Sequence, residues 1–314
     1  MSTKKSDTAV PGPASSQYHT PVLLRETIDG LEVRQDGIYV DCTFGGGGHS
    51  REILKKLGPE GKLIVFDQDV SARQNVPEDQ RVVFIQQNFR HLQKFMRLNK
   101  VPHADGILAD LGVSSHQFDE AERGFSIRFE AALDMRMDNR QPITAAHILQ
   151  TYTEQQLHKL FEKYGEVTNA RTLARTIVAQ RNIAPLNTIN RFKQAVKMDV
   201  KGNPNKYFAQ VFQALRIEVN DEIGALKEML QQSVEVLKPG GRIAVITFHS
   251  LEDRMVKNFF KQGGFEEQPA DDVFGTRPES SLRVITKKPI VAGPEEIKNN
   301  SRSRSAKLRI AEKK

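Results

Sequence analysis

Between Gly37 and Ser50 the chain reads Gly-Ile-Tyr-Val-Asp-Cys-Thr-Phe-Gly-Gly-Gly-Gly-His-Ser. A short β-branched run carries the acid Asp41, the glycines Gly45, Gly46, Gly47 and Gly48 follow, and a helix-like segment covers 50–57. Strand, glycine turn and helix in that order are how an open α/β sheet presents a nucleotide-like ligand at the carboxyl end of its first strand. Glycine lets the backbone approach a ligand with no Cβ in the way, and the helix start offers unpaired N–H groups. The dinucleotide fingerprint asks for G-x-G-x-x-G, but counting from Gly45 puts Ser50 at the third glycine. Asp41, at the strand's end, suits a cationic or amine-bearing ligand better than a pyrophosphate. The plain alternative is a glycine turn that only reverses the chain.

The rest of the chain extends this unit. Further strands are predicted at 62–66, 82–86, 106–109 and 242–248, with a hairpin-like pair at 282–287 and 306–311 closing the sheet. Helices are predicted at 25–31, 50–57 and 207–237, and from about Ser250 to Lys261. The β–α alternation up to residue 117 predicts an α/β fold with a parallel, doubly wound sheet. Asp67 ends the second strand about twenty residues past the glycine turn, where an acid commonly grips ribose hydroxyls. A carboxylate can accept from both hydroxyls of a diol. Phe89 follows the third strand and is a candidate to flank an adenine ring, with core packing as its alternative. Asp110 ends the fourth strand, on the edge that faces reacting atoms in such sheets.

From Phe118 to about Val211 helical periodicity takes over, with segments at 143–151, 153–164, 167–181 and 188–200 and with Thr153 and Thr188 as N-caps. The predicted organisation is a disordered tail at 1–17, the first part of the sheet domain at 18–117, a helical insertion at 118–211 and the second part of the sheet domain at 212–314. Between Gly165 and Lys206 there are eight Lys/Arg and two acids; the bases are Arg171, Arg175, Arg181, Arg191, Lys193, Lys197, Lys201 and Lys206. That imbalance nearly accounts for the chain's net charge of +7. A basic excess on one segment favours a nucleic-acid partner, against the plainer reading of a solvated helix face.

No apolar run approaches the roughly 18 residues of a membrane span, and the opening residues lack the apolar core of a secretory signal. The single cysteine, Cys42, excludes an internal disulfide and a Cys-cluster zinc site. That cysteine count fits a reducing, cytoplasmic compartment, and no metal site is evident.

The run Asp41-x-Thr43-x-Gly45-x-Gly47 resembles the first motif of S-adenosylmethionine-dependent methyltransferases, nearest to those that methylate exocyclic amines. Their cofactor carries an ammonium, a sulfonium and a ribose diol, and no phosphate. Longer stretches make the resemblance specific: His19-Thr20-Pro21-Val22-Leu23, Asp41 through Ser50, Asp110-Leu111-Gly112-Val113-Ser114-Ser115 and Phe248-His249-Ser250-Leu251-Glu252-Asp253-Arg254. Glu122-Arg123-Gly124-Phe125-Ser126 and Leu133-Asp134-Met135-Arg136-Met137 add to it. Over 18–311 the sequence resembles the bacterial RsmH (MraW) family, which methylates N4 of a cytosine in the decoding region of 16S rRNA. The resemblance implies a Rossmann-like class I methyltransferase sheet interrupted by an all-helical substrate-recognition domain. It implies S-adenosyl-L-methionine contacts at Gly47, Gly48, His49, Asp67, Phe89, Asp110 and Gln117, and 16S rRNA in the small ribosomal subunit as the partner. Family members often carry a basic residue where this chain has Gly46.

For the chemistry, Asp110 and the carbonyls of Leu111 and Gly112 are the candidate acceptors for the target amine, and Asp41 joins the cofactor-binding set. The sequence has no Pro-Pro-aromatic after the strand-4 acid, so Phe125 or Phe248 becomes the candidate base-stacking ring. His249 and Ser250 are candidates to contact base or phosphate, with helix capping as the alternative for His249. Asp253 is expected to bind Arg254 or the helix start, and 301–305 to form a basic loop able to meet phosphate. Rival readings are a nicotinamide-dependent dehydrogenase, disfavoured by Asp41 and the missing third glycine, a non-catalytic RNA-binding assembly factor, and a methyltransferase acting on another nucleic acid.

Overall fold

In a computed structural model the described residues are 21–265 and 280–314. The expected tail at 1–17, and His19 and Thr20 of the first motif, lie outside them. Among the described residues no helix is long and apolar enough to cross a membrane.

The β-branched runs form the strands. They are β1 (Ile38–Asp41), β2 (Lys62–Phe66), β3 (Val82–Ile85), β4 (Ala104–Asp110), β5 (Leu237–Thr247), β6 (Leu282–Val284) and β7 (Lys307–Lys313). The sheet order is β3-β2-β1-β4-β5-β7-β6. The first five are parallel, and β7 runs antiparallel to both β5 and β6. Burial on both faces explains the continuous apolar runs: in β4 every residue from Ala104 to Ala109 is buried. Alternation sends Val40, Ile64, Ile107 and Val245 into one core and Tyr39, Leu63, Leu108 and Ile246 into the other.

The chain's helices are α1 (Leu24–Leu31), α2 (Gly48–Lys56), α3 (Leu92–Leu98), α4 (Ser115–Asp119), α5 (Ala145–Thr151), α6 (Glu154–Gly165), α7 (Ala170–Arg181), α8 (Ile189–Ala195), α9 (Pro204–Asn220), α10 (Glu222–Val236), α11 (Ser250–Gln262) and α12 (Pro294–Asn299). Ile28, Leu31, Ile53 and Leu57 cover one face of the sheet, and Leu92, Met96, Met229, Leu230 and Phe259 the other. Between β4 and β5, α5 to α9 enclose a third apolar core that includes Leu157, Phe161, Leu173, Phe192, Phe208 and Leu215. Each such fully buried side chain contributes roughly 1.5–3 kcal/mol. The expected N-caps are in place: the Thr153 hydroxyl accepts from Gln156 N–H in a capping box, and that of Thr188 from Arg191 N–H.

The helix expected over 207–237 is two helices. Asp221 takes a left-handed φ of 45° between α9 and α10, a conformation that Asp and Asn tolerate better than most residues. The Asn220 side chain is drawn inward, where it accepts from Met137 N–H at 2.7 Å and donates to Met135 O at 2.8 Å. Most buried residues of α9, as far as Val219, belong to the helical core, while Ile217 belongs to the sheet core, so α9 joins the two. Periodicity does not begin at Phe118 as expected: α4 and a short 3-10 turn are followed by irregular chain up to α5. At the other end, β5 begins at Leu237 and takes in the Lys238-Pro239-Gly240-Gly241 stop, with a register irregularity against β4.

Candidate active site

The strand order reverses between β1 and β4, and a ligand crevice is expected there at the strands' carboxyl ends. A cleft of about 1060 Å³ lies at that place. Its wall includes Gly45, Gly46 and Gly48 of the glycine turn, though not Gly47, together with Asp67, Phe89, Asp110, Gln117, Arg216 and Phe248.

The glycines divide the work of the turn. Gly47, at φ 73°, is the left-handed N-cap of α2. Gly48 is bare for packing: a Cβ there would stand 2.1 Å from Pro21 Cγ, so the N-terminal segment docks on the start of α2. At Gly46 a Cβ would meet nothing within 4 Å, so a larger residue fits without strain.

Asp41 does not reach the cleft. It is 1% exposed; its Oδ1 accepts from Thr43 N–H at 3.0 Å and its Oδ2 from the Ser50 hydroxyl at 2.6 Å. Burial pushes its carboxyl up. Thr43 Oγ1 in turn accepts from Asp110 N–H at 2.6 Å, so Asp41 braces the turn from beneath. Asp67 Oδ2 accepts from Gly45 N–H and Oδ1 from Asp69 N–H, both at 2.8 Å. A carboxylate has about four lone-pair sites, so two remain for a ligand. Burial, then the neighbouring Asp69 and Asp41, raise Asp67 to about 6.

Phe89 stands on the cleft wall after β3 and also packs against the sheet core. Gln117 lines the cleft too, yet its polar atoms are committed. Its Oε1 accepts from Ser114 N–H at 3.1 Å, and its Nε2 donates to Asp69 at 2.8 Å. Asp69 also receives Arg123 Nη1 at 2.7 Å.

Asp110 occupies the centre. Its Oδ1 is buried and has no hydrogen-bond partner among the described residues. Its Oδ2 lies 3.7 Å from His49 Nδ1. Burial, then the charges of Asp41 and Glu252, push Asp110 up to about 8. Burial lowers His49, against the pull of Asp41 and the hydrogen bond to Val22 O.

Beyond Gly112, the ring of Phe248 and the guanidinium of Arg216 form the far wall, 3.7 and 3.9 Å from the place a Gly112 Cβ would take. Arg216 grips Glu222 through Nε at 2.8 Å and Nη2 at 3.0 Å. Sequence reasoning missed Arg216 because it reads as one more base on a long helix. His249 takes its plainer role: Nδ1 accepts from Glu252 N–H at 3.4 Å, capping α11, and Nε2 lies 3.0 Å from Glu252 Oε1. Ser250 donates to Glu166 at 3.3 Å. Burial raises Glu252, but His249 and Arg216 outweigh it and hold the carboxyl below its usual range.

Two expectations need correction. Phe125 is 7% exposed inside the helical core and faces Arg123, so Phe248 is the ring that reaches the cleft. Asp253 binds Arg309 at 2.6 Å and Lys307 at 3.2 Å, tying α11 to β7 rather than to Arg254. The basic loop at 301–305 does border the cleft. There Arg302 bonds Asp119 at 2.9 Å and lies 5.0 Å over the Phe118 ring.

The family model described as the MraW methylase family matches residues 16–314. "Ribosomal RNA small subunit methyltransferase H" of Parabacteroides distasonis is 55% identical over 300 residues, covering 95% of this chain and 98% of that protein. The protein of the same name from Christiangramia forsetii is 52% identical over 301 residues, with 95% and 98% covered. Among solved structures, TrmN from Thermus thermophilus aligns with 93% of this chain and 48% of its own at 13% identity, with a TM-score of 0.43. An α/β sheet with a cleft at its switch point, an acid at the end of β2 and an unpartnered acid at the end of β4 is what a methyl-donor site asks of a fold, and the chain belongs to the MraW methylase family: it is a methyltransferase, and S-adenosylmethionine is its cofactor.

Proposed function

We propose that the chain transfers the methyl group to N4 of a cytosine in the decoding region of 16S rRNA, within the small ribosomal subunit. The observation that carries this reading is Asp110: a carboxyl on the cleft wall, its side chain 25% exposed, where an amine with two hydrogens can be held. The names of the curated relatives support ribosomal RNA of the small subunit as the substrate class.

The residues fit the cofactor. Asp67 would hold the ribose diol with its remaining lone pairs, Phe89 would pack on the adenine, and Gly48 and His49 on the cleft wall would border the donor's amino-acid end, with Gly47 shaping the turn beside them. Asp41 and Gln117 act one step back, through Thr43 and Ser50 and through Asp69 respectively. When bound, S-adenosylmethionine supplies a methyl carbon made electrophilic by its sulfonium. Cytosine N4 is a weak nucleophile because its lone pair is conjugated with the ring. Asp110, with the carbonyls of Leu111 and Gly112, holds the amine hydrogens and favours a pyramidal nitrogen as the bond forms. The carboxyl then takes the proton the methylated amine sheds. His249, fixed at the head of α11, helps set the level of Glu252 behind Asp110 and does not touch the reacting atoms.

The cytosine must leave its stack to reach this cleft, which a single-stranded segment permits. We take α5 to α9 as the recognition layer. Arg171 and Arg175 stand exposed on α7, whereas Arg181 caps α5 by donating to Leu149 O and Tyr152 O. The test uses labelled S-adenosylmethionine and small subunits purified from cells lacking the gene. Label is expected in one cytidine of 16S rRNA. The Arg171→Glu/Arg175→Glu protein is expected to bind RNA more weakly, with a log–log salt slope shallower by about 1–2. Label in another nucleoside contradicts the substrate assignment, and an unchanged slope removes α7 from the RNA surface.

A further inference from the structure

His49 has a chemistry of its own. Its Nε2 lies 3.0 Å from the carbonyl oxygen of Val22. A carbonyl only accepts, so Nε2 carries the hydrogen and Nδ1 is the bare lone pair of the neutral ring. That lone pair faces Asp110 Oδ2 at 3.7 Å. The imidazole is 6% exposed. Two acceptors facing each other, with the imidazole buried and the carboxyl 25% exposed, favour a proton between them. The ring cannot turn away, because Pro21 is packed on Gly48 and Val22 holds Nε2. The other oxygen of the same carboxyl, Oδ1, is the unpartnered one.

We propose that His49 is the proton partner of Asp110: one proton lies between Asp110 Oδ2 and His49 Nδ1, and it moves onto the imidazole so that Asp110 meets the target amine as a carboxylate. The inference rests on the amine-methylation reading only for the identity of the group that Asp110 holds.

The balance closes. In the first step the Oδ2–H bond breaks and an Nδ1–H bond forms, which converts a neutral pair into an ion pair with no proton exchanged with solvent. During transfer the sulfur–methyl bond breaks, the N4–methyl bond forms, and one amine proton passes to the Asp110 carboxylate. The positive charge that the sulfonium brought in leaves as one proton released to solvent from the pair. The surroundings set the starting point. Asp41 faces both groups and Glu252 faces Asp110, and burial acts on both, so in the free protein the proton rests on the carboxyl. The 3.7 Å contact is longer than a hydrogen bond, and such contacts tighten when the reacting groups are seated.

Two measurements test this. The first is single-turnover methyl transfer at saturating S-adenosylmethionine from pH 6 to 8, in the native protein and in His49→Gln. Glutamine has an Nε2 donor for Val22 O and no basic nitrogen. The native rate is expected to be nearly flat. The variant must shed its Asp110 proton to solvent, so its rate should climb close to tenfold between pH 6 and 7 and less steeply toward 8, about 50-fold across the range. A variant profile parallel to the native one, at whatever absolute rate, overturns the proposal, since a merely structural histidine lowers the rate without changing its shape. The second is the ¹⁵N spectrum of histidine-labelled native protein, alone and with a non-transferable cationic analogue of the cofactor. His49 is expected to be neutral and Nε2-protonated when free, and protonated on both nitrogens in the complex. A ring neutral in both states overturns the proposal. This second readout needs no RNA, so it stands or falls apart from the substrate assignment.

Discussion

Asp110→Ala is expected to lower the methyl-transfer rate by about 10²- to 10⁴-fold at saturating cofactor. The alanine removes the acceptor that holds the amine and the group that takes its proton, while Asp67, Phe89 and the glycine turn keep their places. The same change should not weaken the fold. Asp110 stands at about 8 against a usual value of 3.8, so the folded state holds its proton more tightly than the unfolded one. Stability from this group is therefore full below pH 4 and lost as pH climbs toward 8. The alanine variant lacks that loss, and its Tm should exceed the native one at pH 8 and match it near pH 4. Rate constants from rapid quench and melting curves at the two pH values check both halves. A rate fully restored by added cofactor would show that Asp110 serves only cofactor binding.

Asp67→Ala should raise the Kd for S-adenosylmethionine about 100-fold, the effect of two charge-assisted hydrogen bonds lost together. It also strips the acceptor from Gly45 N–H and Asp69 N–H, which loosens the turn. Because Asp67 sits at about 6, native affinity should fall as the pH drops below that value and the carboxylate is protonated. Calorimetric titrations of native protein and Asp67→Asn at pH 5 to 7 separate this group from others: the acid limb near 6 should vanish in the variant. An identical limb in both would assign it elsewhere.

The sheet was legible because its signals are local. β-branched runs, the glycine turn and the acids at the ends of β2 and β4 lie where period and turn chemistry put them. The break at Asp221 was not legible, since Asn-Asp inside an amphipathic run reads as continuous helix until Asn220 is seen bonding the distant Met135 and Met137. Side-chain allegiance was the other blind spot. Asp41 and Asp67 look equivalent in sequence, yet one turns under the loop to Ser50 and the other keeps lone pairs toward the cleft. Phe125 and Phe248 also read alike, and only packing sends the first into the helical core. Arg216 belongs to the site through its grip on Glu222, a pairing across the α9–α10 junction that no periodicity announces.

The most direct measurement is mass mapping of methylated nucleosides in 16S rRNA from cells with and without the gene. The account predicts that one N4-methylated cytidine of the decoding region loses this methyl group in the deletion strain, and regains it when the native gene is restored but not when Asp110→Ala is. An unchanged N4-methylcytidine in the deletion strain would contradict it.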